Sequence, residues 1–292
     1  MDQPLLTQVG FLKDKTPFVR YYDGQSSQVK SFEFGSELSL EFDTDSRYCI
    51  GWYNITTGEN HPCPNDLKVD GKYEQCSECQ ALTGFNPAFY NSDKISDIQA
   101  AYNTQPHFVY LAYFSEQDIK VGITHAGRDL SRLLEQGARA AIKLETFPSA
   151  NVARQYEADI SSLGFLENVK QTKKIELLSH KFDIEAAKTK LEEAKAKIEA
   201  ELQTEFANSE FIDLNSHFFK PNFDYNQLTD VIDLTEQAKI AGQVIGQVGA
   251  IMICQYQEFY VALPLKKFTG YHFRQTNQII ELDLPTTQFS LF

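Results

Sequence analysis

The sequence predicts an α+β protein in which β-rich N- and C-terminal parts flank a zinc-ribbon-like cysteine segment and a small α/β domain. Three observations carry that prediction. Apolar and polar residues alternate in the first 48 residues, the period of a half-buried strand, and a glycine-spaced apolar run returns to strands from Gly242. A stretch rich in Asn, Pro, Gly and Cys interrupts the pattern after Tyr48. The middle of the chain then switches to the 3.6-residue spacing of helices. The implied parts are 1–48, 49–90, 105–165, 169–215 and 240–292.

The first part reads VRYY, a DG turn at Asp23-Gly24, then VKSFEF and LSLEF. These runs predict antiparallel strands with one buried face and no chemistry of their own. Residues 91–106 read as a connector with a short helix around Ile95–Tyr102. His107–Phe114 and Ile119–Thr124 read as two strands joined by the loop SEQD, with Gly122 permitting close backbone approach. A helix is predicted from Arg128 to Leu144, buried through Leu130, Leu133, Leu134, Ala138, Ala141 and Ile142, with Gly137 as the place where it would split or kink. On that helix Arg128, Arg132, Arg139 and Lys143 would form one basic stripe. A second helix starts after Pro148, capped by Ser149 or Asn151, with Val152, Tyr156, Ile160 and Leu163 inward and Glu157 at the edge of the buried face. Residues 169–210 read as charged helix, solvated and laced with i,i+4 pairs. Its thin stripe from Ile184 to Leu202 leaves a dimerising helix as the alternative. His217, Phe218 and Phe219 read as packing residues. From Gly242 strands return, and Gly242, Gly246 and Gly249 fit a curved sheet or small barrel. The terminal β-segments are expected to pack together, with the helical middle inserted between them.

At 292 residues, 42% hydrophobic and 13% aromatic, the chain is composed like a folded globular protein. Its start lacks a basic-plus-apolar signal segment, and its most apolar run, Val244–Cys254, is too short to span a bilayer. A cytoplasmic protein without a membrane partner is expected, and its oligomeric state is left open. The net charge of −13 argues against broad non-specific nucleic-acid binding. The charge is uneven, however. Residues 1–100 hold 8 basic and 15 acidic side chains, net −7, whereas 120–143 hold Lys120, Arg128, Arg132, Arg139 and Lys143 against Asp129 and Glu135, net +3.

Four of the five cysteines fall in the second part: Cys49, Cys63, Cys76 and Cys79. Cys76 and Cys79 form a C-x-x-C knuckle, which bites one tetrahedral metal, and Cys49 and Cys63 would complete a structural zinc shell. His61 is the reserve ligand. Four free thiols or a redox pair at Cys76/Cys79 are the alternatives, the latter without a thioredoxin-like βαβ pattern around it. Cys254, in an apolar strand, reads as a core residue.

Phe108–Glu157 resembles the GIY-YIG nuclease superfamily, in which a strand ending in Tyr precedes a strand ending in Gly, an Arg-bearing helix and a Glu-bearing helix. Here FVY (108–110) stands in the place of GIY and KVG (120–122) in that of YIG, nine residues apart. Thr124 with Arg132 or Arg128, and Ala153-x-x-x-Glu157, suit the two helices. Phe108 replaces the first Gly and Lys120 the second Tyr. The resemblance implies a divalent-metal-dependent endonuclease on DNA or RNA. Glu157 would hold Mg²⁺ or Mn²⁺, Tyr110 would position or deprotonate the water, and Arg132 or Arg128 would neutralise the transition state. Lys120 would add a cation, and His125 would donate a proton. Two other readings stay open: a non-catalytic nucleic-acid-binding module on the same fold, and a zinc-stabilised protein-interaction factor. The wider layout of cysteine-rich start, KVG-x-T…R…QGA and G-x-x-G end also resembles an uncharacterised prokaryotic family of unknown function.

Overall fold

The computed structural model of the chain describes residues 3–70, 73–85, 95–278 and 280–284. Parts of the cysteine segment (71–72 and 86–90), the first residues of the connector (91–94) and the chain ends lie outside them.

Both ends of the chain build one nine-stranded sheet, the C-terminal strands through nearly continuous apolar runs. The N-terminal part supplies β1 (Leu5–Phe11), β2 (Pro17–Asp23), β3 (Ser26–Lys30) and β4 (Glu37–Asp43). The C-terminal part supplies β11 (Ile232–Asp233), β12 (Lys239–Val248), β13 (Ile251–Tyr256), β14 (Phe259–Pro264) and β15 (His272–Gln275). The strand order is β11-β14-β13-β12-β4-β15-β1-β2-β3, so the two ends of the chain interleave in an open sheet. A register shift between Val244 and Gly246 bulges β12, where the Phe218 carbonyl comes so close that a Cβ on Gly246 would meet it at 2.3 Å.

Between these halves the short strands β5 (Trp52–Tyr53) and β6 (Asn60–His61) pair, followed by helices α1 (Ser77–Thr83) and α2 (Asp97–Asn103). The chain then forms β7 (His107–Tyr113), β8 (Ile119–His125), α3 (Ser131–Gln136), β9 (Ala140–Phe147), α4 (Ala150–Ser162), α5 (Gln171–Leu178), α6 (Ile184–Leu202) and β10 (Glu210–Asp213). A second sheet of order β10-β9-β7-β8 results, with β7 buried along its whole length. The fold is thus mixed α+β and rich in strands.

One core cluster lies between the sheets, where Phe11, Ile245 and Ile253 meet Phe108, Leu133 and Ala141. A second covers the other face of the large sheet, and a third packs α4 and α6 on the small one. The apolar stripe of α6, Ala187, Leu191, Ala194 and Ile198, is spent there, which removes the dimerising-helix alternative for that face. Among the described residues no helix is long and apolar enough to cross a membrane.

Three expectations need correction. In VKSFEF the strand stops at Lys30, and residues 31–34 belong to no strand. Residues 169–210, read as charged helix, form the two helices α5 and α6, then a loop that leads into β10. The third concerns α3. The helix predicted from Arg128 to Leu144 ends at Gln136, because Gly137 adopts a left-handed φ of 74° and its N–H caps the Leu134 carbonyl. Residues 140–147 continue as strand β9. A strand buried on both faces carries a continuous apolar run, and AAI reads equally well as helix. The predicted basic stripe therefore does not exist. Arg128 and Arg132 stay near α3, Arg139 is buried in the turn, and Lys143 stands on β9 with its ammonium over the Phe108 ring.

Candidate functional sites

The cysteine segment builds the first site. Gly51 makes its fold feasible: φ is 79°, and a Cβ there would lie 2.0 Å from the His61 carbonyl. Cys76 is the N-cap of α1, and its sulfur accepts the Cys79 N–H at 3.5 Å. The Cys76 N–H in turn donates to the Cys49 sulfur at 3.2 Å. Cys63 follows β6, and its Sγ is 4.0 Å from that of Cys76. All four sulfurs lie within 4.8 Å of one another. A tetrahedral ion about 2.3 Å from each sulfur needs them roughly 3.8 Å apart, so this donor set fits a metal ion with little adjustment. Burial pushes the Cys49 thiol up to about 11 and the Cys79 thiol further, and a bound cation would favour their thiolate forms. Burial opposes ionisation of Cys76 too, but the Cys79 N–H and the neighbouring sulfurs outweigh it and lower that thiol. His61 stacks on Trp52 at 4.1 Å and lies outside the sulfur cluster. Cys254 is buried in the large sheet, as a core residue. The segment has its own small core of Cys49, Cys63, Val69 and Cys79. It is tied to the large sheet where Arg47 donates to the Thr269 carbonyl (3.0 Å) and Thr269 to Glu74 (2.7 Å).

The second site lies on the small sheet. Tyr110 of β7 pairs directly with Gly122 of β8. A Cβ on Gly122 would sit 2.6 Å from the Tyr110 hydroxyl, so the missing side chain is what lets the ring cross the neighbouring strand. Tyr110 is only 1% exposed. Burial raises its pKa, and Arg132 works against the rise while Glu157 adds to it. Lys120 stands on β8, and its ammonium donates to the Glu167 carbonyl. Burial depresses it, with Glu157 holding it up and Arg132 pushing it down. Glu157 faces this group from α4, which packs on β8. Its carboxyl is raised by burial and lowered by Arg154 and Lys120, with Glu167 raising it again. Of four predicted residues from four elements, Arg132 and Glu157 thus each act on Tyr110 and on Lys120.

Arg128 is placed differently. It binds Glu135 at 2.5 Å, and Arg132 reaches the same carboxylate at 3.6 Å. Arg128 also acts on Tyr110 and on an aromatic group in which Tyr102 stacks on His125 (4.8 Å) and His107 meets His125 edge-on (5.3 Å). The His125 Nδ1 accepts the Gly127 N–H, and burial lowers its pKa.

Sequence reasoning passed over three residues here. Arg154, one turn before Glu157, is the first-named cation acting on that carboxyl. Glu167 supplies the second carboxylate. Lys174 of α5 donates to the Gln136 carbonyl at 2.6 Å and feels the charges of Lys120, Arg132 and Lys266. Arg154 had a usable signal, since it shares the i,i+3 face of Glu157. Lys174 had none, because its segment reads as a solvated charged helix.

No curated protein and no solved structure matches the chain. A family model does match residues 35–273, a span that takes in the cysteine cluster, the small sheet and most of the large one. The chain therefore belongs to the DUF2797 family, described as a protein of unknown function.

Proposed function

We propose that the Tyr110–Glu157 group is a phosphodiester-directed site of GIY-YIG-like kind, acting on DNA or RNA with a divalent cation. The observation that carries this reading is that Arg132 of α3 and Glu157 of α4 both act on Tyr110 of β7 and Lys120 of β8. In a chain of net charge −13, cations gather here around few acids. Such a group attracts a phosphate and would stabilise the charge that develops on it during cleavage. Arg132, already facing the Tyr110 hydroxyl, suits that task better than Arg128, which is drawn to Glu135. Lys120 occupies the place of the family's second tyrosine and would add charge rather than a hydroxyl. Glu157, with Glu167 beside it, offers oxygen ligands of the kind that hold Mg²⁺ or Mn²⁺ together with waters and a substrate phosphate. Bound there, the ion would supply a Lewis acid for the leaving oxygen. Arg154 and Lys120 act on the Glu157 carboxyl and would compete with a cation there.

The burial of Tyr110 and the loss of the second tyrosine favour a second reading, a non-catalytic nucleic-acid-binding module using the same cations. One experiment separates the two. Purified protein is incubated with single-stranded, duplex and branched DNA and RNA and Mg²⁺ or Mn²⁺, beside Glu157→Ala. Cleavage reduced about 100-fold or more in the variant is the expected result. No cleavage above the variant overturns the enzyme, and a steep salt dependence of binding then supports the module.

For the cysteine cluster we propose zinc in a structural role. Four thiolates form a closed tetrahedral shell with no position left for substrate, and sulfur donors suit zinc over the hard cations.

A further inference from the structure

The basic stripe expected from the sequence is absent, but folding gathers a different set of cations around the end of α3. Lys174 of α5 donates to the Gln136 carbonyl at 2.6 Å. The Gln136 amide, oriented with its oxygen toward Arg132, accepts from that guanidinium at 2.9 Å. One residue thus meets two cations, through its backbone oxygen and its side-chain oxygen. The turn at Gly249-Ala250 packs on the same helix end, where a Cβ on Gly249 would lie 3.0 Å from the Glu135 carbonyl. The Leu265 N–H donates to the Ala250 carbonyl at 2.9 Å, and this bond ties the short 3-10 turn Leu265–Phe268 to the Gly249-Ala250 turn. Lys266 and Lys267 are exposed on that 3-10 turn. Lys174 feels the charges of Lys120, Arg132 and Lys266 together.

Acids do little to cancel this charge. Among the described residues no carboxylate lies at ion-pair distance from Lys120, Lys174 or Lys266. Glu135, at the helix end, is shared by Arg128 (2.5 Å) and Arg132 (3.6 Å). Glu157 and Glu167 act at the Lys120 end, in the group already described. Glu74 reaches Thr269, just past the 3-10 turn, and is paired with Arg47 (3.5 Å). The Arg128 and Arg132 side chains are 39% and 38% exposed, so these cations face solvent. Clustered cations on one surface of a chain whose net charge is −13 concentrate a field for a polyanion.

We propose that Arg132, Lys174 and Lys266 form a phosphate track, which holds a nucleic-acid strand running from the Tyr110–Glu157 group across the end of α3 to the 3-10 turn. The proposal rests on the reading of that group as a phosphodiester-directed site, and it adds the flanking phosphates to the substrate. Cations placed in a row by three separate elements suit a polymer whose charge repeats along its length. Such contacts set affinity and register and carry no base specificity.

The test is fluorescence anisotropy with a labelled single strand of about 12 nucleotides, in DNA and RNA forms. Titrations run over a series of salt concentrations at pH 7, below the value of about 8 at which Lys174 loses its proton. The full-length protein is compared with Lys174→Gln, Lys266→Gln and their double variant, and with Lys190→Gln on α6 as a control of equal charge. Each track variant should lower the slope of log Kd against log salt by about 0.7 and the double variant by about 1.4, with no change in the control. Circular dichroism checks folding, and Lys266→Gln decides alone if Lys174→Gln does not fold. Binding of either polymer with these slopes supports the track, and it does so even if the wild type cleaves nothing. Slopes unchanged in the folded double variant overturn the track and leave the site reading standing where the wild type cleaves. Binding of neither polymer overturns both. An equal fall in Lys190→Gln also overturns the track, as a general effect of charge. So does displacement of the strand by poly-glutamate at matched charge, because the patch would then be a dock for acidic protein.

Discussion

At the scale of single residues, this molecule holds cations where burial works against them. Lys174 is the clearest case: burial pulls its ammonium from 10.5 down to about 8, and Lys120, Arg132 and Lys266 push the same way. Between those two values the unfolded chain binds the proton and the folded one does not. Wild-type stability therefore rises as pH climbs from about 8 to 10.5, and that contribution is lost as pH falls back through 8. Removing the titrating group removes the slope. The stability of wild type minus that of Lys174→Met should climb by about 1–3 kcal/mol over this window, measured by urea unfolding at matched ionic strength. Parallel curves for the two proteins would show that the lysine is solvated as an ordinary surface residue.

At the scale of elements, legibility followed the strength of local signals. Helix α4 was readable because Pro148 stops the strand, Ser149 caps the Val152 N–H and apolar residues follow at helical spacing. β1, β2 and β4 were readable from the apolar pattern of residues 5–48, but β3 is exposed along its whole length and residues 31–34 lie outside any strand, while β12 and β13 are buried almost continuously and were legible from their apolar run and glycines instead. Residues 138–144 were not, since Ala138, Ala141 and Ile142 satisfy helical spacing and also the continuous apolar run of β9. The outcome turned on Gly137, whose left-handed backbone ends α3 and whose Cα packs near Gly249. Tyr110, Lys120, Arg132 and Glu157 were within reach because one ordered motif spans them, whereas Lys174 and Lys266 join them only through α5 and the turn after β14. The cysteine segment was legible from spacing alone, and it carries its own prediction. Its core is small and separate from the other three. Chelation or Cys76→Ser should therefore release near one equivalent of zinc and unfold residues 49–83 locally, with hydrogen exchange in β12 and β13 unchanged. A metal content near zero in the purified wild type would remove the zinc assignment. Global unfolding on chelation would instead make the segment part of the main cooperative unit.

At the scale of the whole molecule, the fold depends on one short strand from the far end of the chain. Among the described residues β15 is the link in the large sheet between β4 and β1. It pairs with β4 over four residues, from His272↔Asp43 to Gln275↔Leu40, and its His272 pairs with Leu5. Backbone bonds from Phe273 to the Pro4 carbonyl (2.9 Å) and from Leu6 to the Tyr271 carbonyl (3.0 Å) complete the seam. Phe273 fills it, 5.8 Å from Phe42 and 5.6 Å from Tyr21. Without β15 the hairpin β1–β2 would lose its neighbour, and β4 would become an edge with Leu38, Leu40 and Phe42 facing a core partly stripped of cover. β1 also supplies Phe11 to the core between the sheets, so damage at the seam reaches the layer on which Tyr110 and Arg132 stand. A contact between residues about 270 positions apart closes late and holds the structure by stabilising what is already folded. A chain ending at Gly270 is therefore expected to lose its cooperative thermal transition and to bind a hydrophobic dye, although β7–β10 and the cysteine segment are intact in its sequence. Calorimetry of that chain beside the full-length protein decides the point. A sharp transition within a few degrees of the full-length value would mean that β12, β13 and β14 hold β4 and the small sheet unaided.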